Sequence, residues 1–337
     1  MRGSSKKSRS SSIVVNPKGP ISLGFDIGGT NIRGVGLRPD LSFGGVISQP
    51  CEDDHEKIIE SLIDIAAQIQ ESERLEIGCV GIGVAGFIDR SGVVRTSPNL
   101  STFKNFPLLE KVSCELDVPV LIENDATSAT WAEVQLGVAR ESENAIMVCL
   151  GTGIGAGLYF NSELLRGASG FAGEVGHMTI VPDGLPCPCG RSGCWERYAS
   201  GSALGDIAEK LRSDGRIGHL NGDEFEAGRP VSSERVAQLV LKNDGEAMKV
   251  LEHFSDWLAM GLVNLVNILD PQSVVLGGGI TQLGEHLLDP VRKSFGRLTP
   301  EHSLRSQDLI VLAEFGNKAG AIGAALLAKQ NLLAQKR

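Results

Sequence analysis

Three times in this chain a run of apolar, strand-forming residues stops at a cluster of glycines. "ISLGFDI" runs into "DIGGTNIRG" (26–34), "AIMVCL" into "GTGIGAG" (151–157) and "SVV" into "LGGGI" (276–280). Glycine at such a point lets the backbone turn tightly and lets its N–H groups face the oxygens of a phosphate. Repeated in both halves of a chain, this points to an α/β protein of two related lobes with ligands at the strand ends. The chain carries 42 glycines in 337 residues, where average usage gives about 24.

The surrounding pattern supplies the elements. Short strands are expected at "ISLGFDI", "IRGVGLRPD" and "SFGGVIS", and "HEKIIESLIDIAAQIQES" repeats apolar residues at helical spacing. "EIGCVGIGVAGFID" reads as a buried strand, "FKNFPLLEKVSCEL" as a helix and "VPVLIEND" as a strand, so the first unit is βββαβαβ. The second unit opens with a helix at "ATSATWAEVQLG". Strands follow at "AIMVCL", after the "GTGIGAG" turn and at "ELLRGASG", with helices at "SALGDIAEKL", "SERVAQLVLKN" and "EAMKVLEHFSDWLAMGLVNLVNIL". Strands at "SVVLG" and "LIVLAEF" and a closing helix at "AGAIGAALLAKQNLL" complete it. The lobes are expected at 21–124 with 316–337 (small) and 125–315 (large), after a basic, Ser-rich, disordered tail over residues 1–20.

A formal net charge of −9 argues against a polyanion such as nucleic acid as partner. No apolar run reaches about 18 residues, so no membrane span is expected. The tail lacks an apolar stretch of signal-peptide length, and a reducing cytoplasm is the expected compartment.

"GTGIGAG" formally matches a dinucleotide fingerprint, but that turn must open a helix. "GLYFNSELL" follows instead and reads as strand, turn, strand. Gly151, Thr152 and Gly153 are better read as a hairpin turn facing phosphate. In "DIGGTNIRG", Asp26 ends a strand and can hold Mg²⁺ through water, with Gly28, Gly29 and Thr30 at the phosphates; an ordinary Gly-Gly turn fits the same residues. Gly277, Gly278 and Gly279 form the third turn. In "IENDATSA", Asp125 ends a strand and precedes a helix. It can accept a proton from a substrate hydroxyl, as kinases require, and it can equally cap the helix.

Three of the seven cysteines fall within eight residues. His177, Cys187, Cys189 and Cys194 give H-x9-C-x-C-x4-C, one imidazole and three thiolates for a closed tetrahedral Zn²⁺ site of structural type. Gly190 and Gly193 permit the turns that bring the thiolates together. Glu174 and Glu196 flank this knuckle. With zinc on one nitrogen of His177, the other nitrogen and the two carboxylates can hold sugar hydroxyls.

Together "DIGGTNIRG", "GVAGFID", "SPN", "END", "GTGIGAG", "GEVGH", "CPCGRSGCWERYASG" and "LGGGI" resemble the ROK family of sugar kinases, in that family's order, over residues 21–330. The resemblance implies the two-lobed actin/hexokinase/Hsp70-like (ribonuclease H-like) fold and ATP-dependent phosphorylation of a hexose. The "CGRSGCWERYASG" segment looks most like family members that phosphorylate the 6-hydroxyl of glucose; fructose, mannose and N-acylhexosamines are the rival substrates. It implies Asp125 as general base, Asn99, Asn124, Glu174, His177 and Glu196 as sugar ligands, and the three glycine turns as the site of ATP and Mg²⁺. A homodimer or homotetramer is expected. Asn31 stands where many members carry Lys, and Ala85 where proline is commoner. Some members are repressors with an N-terminal helix-turn-helix; residues 1–20 are too few for that domain and Asp125 is retained, so an enzyme is expected.

Overall fold

A computed structural model describes residues 19–218, 220, 231–306 and 308–335. The expected disordered tail thus lies, but for Gly19 and Pro20, outside the described residues. The first half forms β1 (Ile21–Ile27), β2 (Asn31–Leu37), β3 (Ile47–Pro50), α1 (His55–Glu73), β4 (Ile77–Val84), β5 (Phe87–Ile88), β6 (Val94–Thr96), α2 (Leu108–Glu115), β7 (Val120–Asn124) and α3 (Asp125–Gln135). The second forms β8 (Ala145–Leu150), β9 (Ile154–Phe160), β10 (Glu163–Leu164), α4 (Glu196–Ala199), α5 (Ala203–Ser213), α6 (Ser233–Leu241), α7 (Gly245–Leu269), β11 (Ser273–Gly277), α8 (Glu285–Leu298), β12 (Ile310–Leu312) and α9 (Ala319–Gln335).

Two five-stranded sheets have the same order, β3-β2-β1-β4-β7 and β10-β9-β8-β11-β12. In each, the first three strands are an antiparallel meander and the last two add parallel to the first. Parallel neighbours need crossovers, and the helices supply them. α1 shows why such a segment is a helix. Asp54 caps it by accepting from the N–H groups of Glu56 and Lys57, and Ile58, Leu62, Ile65, Ala66 and Ile69 form one buried stripe.

The helices that follow each sheet exchange places. α9 comes after the second sheet yet lies on the first, where Gly24 and Gly81 have no Cβ and admit its backbone at Ala321 and Ala324. α3 comes after the first sheet and packs on β8 and β9, and α3 and α9 also pack on each other. Residues of both sheets and both helices share one core cluster, including Val35, Trp131, Met147, Val275 and Ile322. The exchange makes α3 and α9 the joint of the molecule and brings the carboxyl ends of β1, β4, β7, β8 and β11 to one cleft, where ligands of open α/β sheets bind.

Several boundaries differ from the sequence-based reading. The third strand is only Ile47–Pro50, with Phe43 making an isolated bridge to Leu37. The apolar run 76–89 breaks into β4 and β5 at Gly86, whose φ of 136° puts it where a Cβ would strike the Thr96 carbonyl. The second helix starts at Leu108, because Pro107 belongs at a helix start and not inside one. "ELLRGASG" pairs as a strand only at Glu163–Leu164, and β12 is only Ile310–Leu312. Helix α8 was not anticipated: its segment carries Pro290 and Gly296, which weaken the helical signal. No helix among the described residues is long and apolar enough to cross a membrane.

Candidate active site and metal centre

Asp125 is the first residue of α3, at the end of β7. The cap of this helix is Asn124, whose side-chain oxygen accepts from the Thr127 N–H at 3.0 Å and whose Nδ2 donates to the Gly86 carbonyl at 3.3 Å. The capping role considered for Asp125 therefore belongs to its neighbour. One oxygen of Asp125 accepts from the Ala126 N–H at 2.8 Å. Burial holds its carboxyl above the ordinary range. Asp26, at the end of β1, is pushed up to about 7, first by burial and then by the Asp125 charge, with Arg33 opposing at 3.6 Å.

The "GGT" turn and the "SPN" segment meet directly. A Cβ on Gly29 would lie 2.6 Å from the Asn99 Cβ, so Asn99 sits against the turn with its side chain exposed to the cleft. Gly28 closes the turn by donating to the Asn31 carbonyl at 3.0 Å. Thr30 is exposed at its tip.

Across the cleft, a single 3₁₀ turn at Val175–His177 sets Glu174 and His177 on one side, with His177 Nε2 4.0 Å from Glu174 Oε2. Glu196, at the start of α4, brings Oε1 to 3.4 Å from His177 Nδ1. Its other oxygen lies over the glycine turn, 2.5 Å from where a Cβ on Gly153 would stand. Burial, then Asp125 and then Glu196 push Glu174 up to about 7. Asp125 thus stands within electrostatic reach of both Asp26 and Glu174.

His177, Cys187, Cys189 and Cys194 converge, with one ligand atom of each inside a set spanning 4.8 Å. Cys189 and Cys194 sulfurs are 3.6 Å apart, and Cys187 Sγ is 3.9 Å from His177 Nδ1. Zinc–ligand bonds of about 2.0–2.3 Å at tetrahedral angles require edges of about 3.3–3.8 Å. The four donors lie within about 1 Å of that range and could hold Zn²⁺, with Nδ1 of His177 facing the Cys187 thiol and Nε2 nearer Glu174. The loop is built for this. Gly190 donates to the Cys187 carbonyl, and Gly193, with φ of 77°, lies against Val181 where no side chain fits. The knuckle is also tied down independently of a metal. Trp195 is fully buried and donates to the Trp257 carbonyl on α7 at 2.9 Å. The Leu185 N–H donates to the Tyr198 hydroxyl at 2.6 Å, and Arg191 donates to the His177 carbonyl at 2.6 Å.

Gly151 and Thr152 open a cleft of about 670 Å³ that continues between α5, α6 and the 3₁₀ turn after β11. Its walls include Gly205, Ser233, Gln238 and Gln282 as well as Gly279, none of which but Gly279 was singled out from the sequence. Gly205 donates to the Ser233 hydroxyl, which joins α5 to α6 along one wall. The three glycines of "LGGGI" differ: Gly277 is buried at the end of β11, Gly278 packs on Leu150 with φ of 94°, and Gly279 faces the cleft. No spacing rule marks such walls; runs of small residues near helix starts, as in "ASGSALG", are the one local sign.

The family model for "ROK family" matches residues 22–331. A glucokinase of Streptomyces coelicolor is 35% identical over 318 residues, covering 92% of this chain and 98% of that protein. The xylose repressor of Bacillus subtilis is 32% identical over 317 residues, covering 92% of this chain and 77% of the repressor. A ROK family glucokinase from Streptomyces griseus, solved with glucose and AMPPNP, superposes with a TM-score of 0.82 at 33% identity, covering 92% of this chain and 99% of that one. With the duplicated sheets, the cleft and the His/Cys knuckle, this similarity along nearly the whole chain means that the protein belongs to the ROK family.

Proposed function

We propose that this chain is a glucokinase, transferring the γ-phosphoryl group of ATP to the 6-hydroxyl of glucose. The observation that carries the reading is Asp125: it sits at the cleft end of β7 with the helix cap already supplied by Asn124. One of its carboxylate oxygens accepts from the Ala126 N–H, and the other is left to receive the hydroxyl proton.

In this mechanism the sugar lies against Asn99, Asn124, Glu174, Glu196 and Nε2 of His177. The 6-hydroxyl gives its proton to Asp125 as its oxygen attacks the γ-phosphorus in line. The bond from phosphorus to the β–γ bridging oxygen breaks, and ADP leaves with that electron pair. The transition state is loose, so positioning and charge stabilisation carry most of the catalysis. N–H groups around Gly28–Thr30 and Gly151–Gly153 face the phosphates, and Gly279 borders the nucleoside end. Asp26 is the residue suited to hold Mg²⁺ through water, and that ion supplies neutralisation of phosphate charge. His177 through Nδ1, with Cys187, Cys189 and Cys194, would hold a structural Zn²⁺, which would leave Nε2 of His177 to meet the sugar.

We assign residues 21–124 with 316–337 and residues 125–315 to two lobes that close over the sugar and exclude water. A cytoplasmic location and a homodimer or homotetramer accompany the reading. The test is ADP release with glucose, mannose, fructose, N-acetylglucosamine and N-acetylmannosamine, with ATP and polyphosphate as donors. Glucose with ATP is expected to give the highest kcat/KM. Turnover of another sugar with none of glucose rejects the assignment.

A further inference from the structure

The loop between β10 and Glu174 leaves its own sheet and touches the first half of the molecule at several places. Arg166 donates through Nε to Glu123 Oε2 at 2.6 Å, and Glu123 lies on β7, two residues before Asp125. Arg90, from the β5–β6 hairpin, donates to the Gly167 carbonyl at 2.8 Å. Phe171 meets Phe87 edge to face at 5.3 Å. Gly170 passes so close to the hairpin that a Cβ there would lie 2.8 Å from the Ile88 carbonyl oxygen. The loop is closed on itself by the Ala172 N–H donating to the Arg166 carbonyl at 3.2 Å.

These contacts join three segments of the proposed sugar site: the β7 end that leads into Asp125, the hairpin that leads into Asn99, and the loop that leads into Glu174. We infer that Arg166 is a positioning residue: its ion pair with Glu123, backed by the Phe87–Phe171 contact, clasps residues 165–173 onto the first sheet and sets Glu174 opposite Asp125. The inference rests on the kinase reading for its consequence, but the clasp itself is a matter of geometry.

The energetics suit a clasp that opens and closes. Arg166 is 41% exposed and Glu123 13% exposed, so the pair is partly screened and weak taken alone. The aromatic contact is also at the surface, with Phe171 37% exposed. A sugar gripped from both sides favours the closed arrangement, and apparent affinity falls in proportion to the closed fraction when the clasp is cut. The nucleotide cleft has no wall in residues 165–173. Cutting the clasp therefore separates the two substrates.

The test compares wild type with Arg166→Met, which keeps the apolar stem, and Arg166→Lys, which keeps the charge. Steady-state KM for glucose and for ATP is measured, with amide exchange of the sugar-free proteins. Arg166→Met is expected to raise glucose KM about threefold to fivefold and leave ATP KM within about 1.5-fold, with Lys recovering most of the loss. Exchange should quicken over residues 165–173 and 87–96. A Met variant with wild-type glucose KM overturns the inference, as does one in which both KM values rise together. If wild type phosphorylates no hexose, the kinase reading has failed instead. The exchange data then decide the clasp, and exchange unchanged from wild type overturns it.

Discussion

Removing the knuckle metal should weaken sugar binding while leaving nucleotide binding intact. The perturbation is Cys189→Ser, or chelation of wild type. Cys189 is the exposed residue of the four-donor set, so its replacement opens no cavity in the hydrophobic core. Structural zinc in small peptides is worth about 10–16 kcal/mol at neutral pH, but this chain keeps a large core of its own. Trp195 and Tyr198 remain anchored without metal, so loosening should be confined to residues 177–194. His177 then loses its fixed orientation. Its Nδ1 already lies 3.4 Å from Glu196 Oε1, so the imidazole and that carboxylate can pair with each other and not with ligand. Two sugar hydrogen bonds disturbed at about 1 kcal/mol each give about 2 kcal/mol, or about a 30-fold rise in the glucose Kd. The cleft proposed for the nucleotide is walled by residues within 150–152, 201–206, 231–241 and 279–283 and takes nothing from 177–194. The Kd of AMPPNP should hence move by less than about twofold, a shift of under about 0.4 kcal/mol. The assay is metal analysis together with separate calorimetric titrations of glucose and AMPPNP. Zinc-free protein with unchanged glucose affinity, or with both affinities reduced alike, would refute the reasoning.

Asp125→Asn should lower kcat by about 10²–10⁴-fold with the melting temperature nearly unchanged. Asn124→Ala should instead cost about 1 kcal/mol of stability through the lost cap, which thermal unfolding of the two variants distinguishes. The acid limb of kcat/KM should lie above the ordinary carboxylate range. Burial disfavours the Asp125 carboxylate, so its pKa is raised, and the base is lost by protonation as pH falls through that raised value; a limb at or below about 4 contradicts this. Ala237→Trp, which fills the nucleotide cleft from the α6 side, should raise ATP KM with glucose affinity retained; equal effects on both substrates would place the nucleotide elsewhere.

Much of this molecule was legible in the sequence because the information was local. The candidate metal donors His177, Cys187, Cys189 and Cys194 lie within 18 residues, and the glycines between them already favour a tight loop. The long helices α1 and α7 show apolar spacing along their length, α9 shows a run of small and apolar residues, and the strand-to-glycine transitions at Asp26, Gly151 and Gly277 mark strand ends whatever surrounds them. Other features depended on chain segments far apart in sequence. That Asn124 and not Asp125 caps α3 shows only in the fold, where Asn124 accepts from the Thr127 N–H and also donates to the Gly86 carbonyl, 38 residues away. That most of "ELLRGASG" leaves the strand follows from the partners of Arg166 and Gly167, which are Glu123 and Arg90 and which no periodicity connects to it. The exchange of α3 and α9 between sheets, and the cleft walled by α5, α6 and the turn after β11, likewise exist only once the sheets are packed. Spacing records which residues share one face of one element. It does not record which faces meet, because that is settled by shape complementarity and burial between elements.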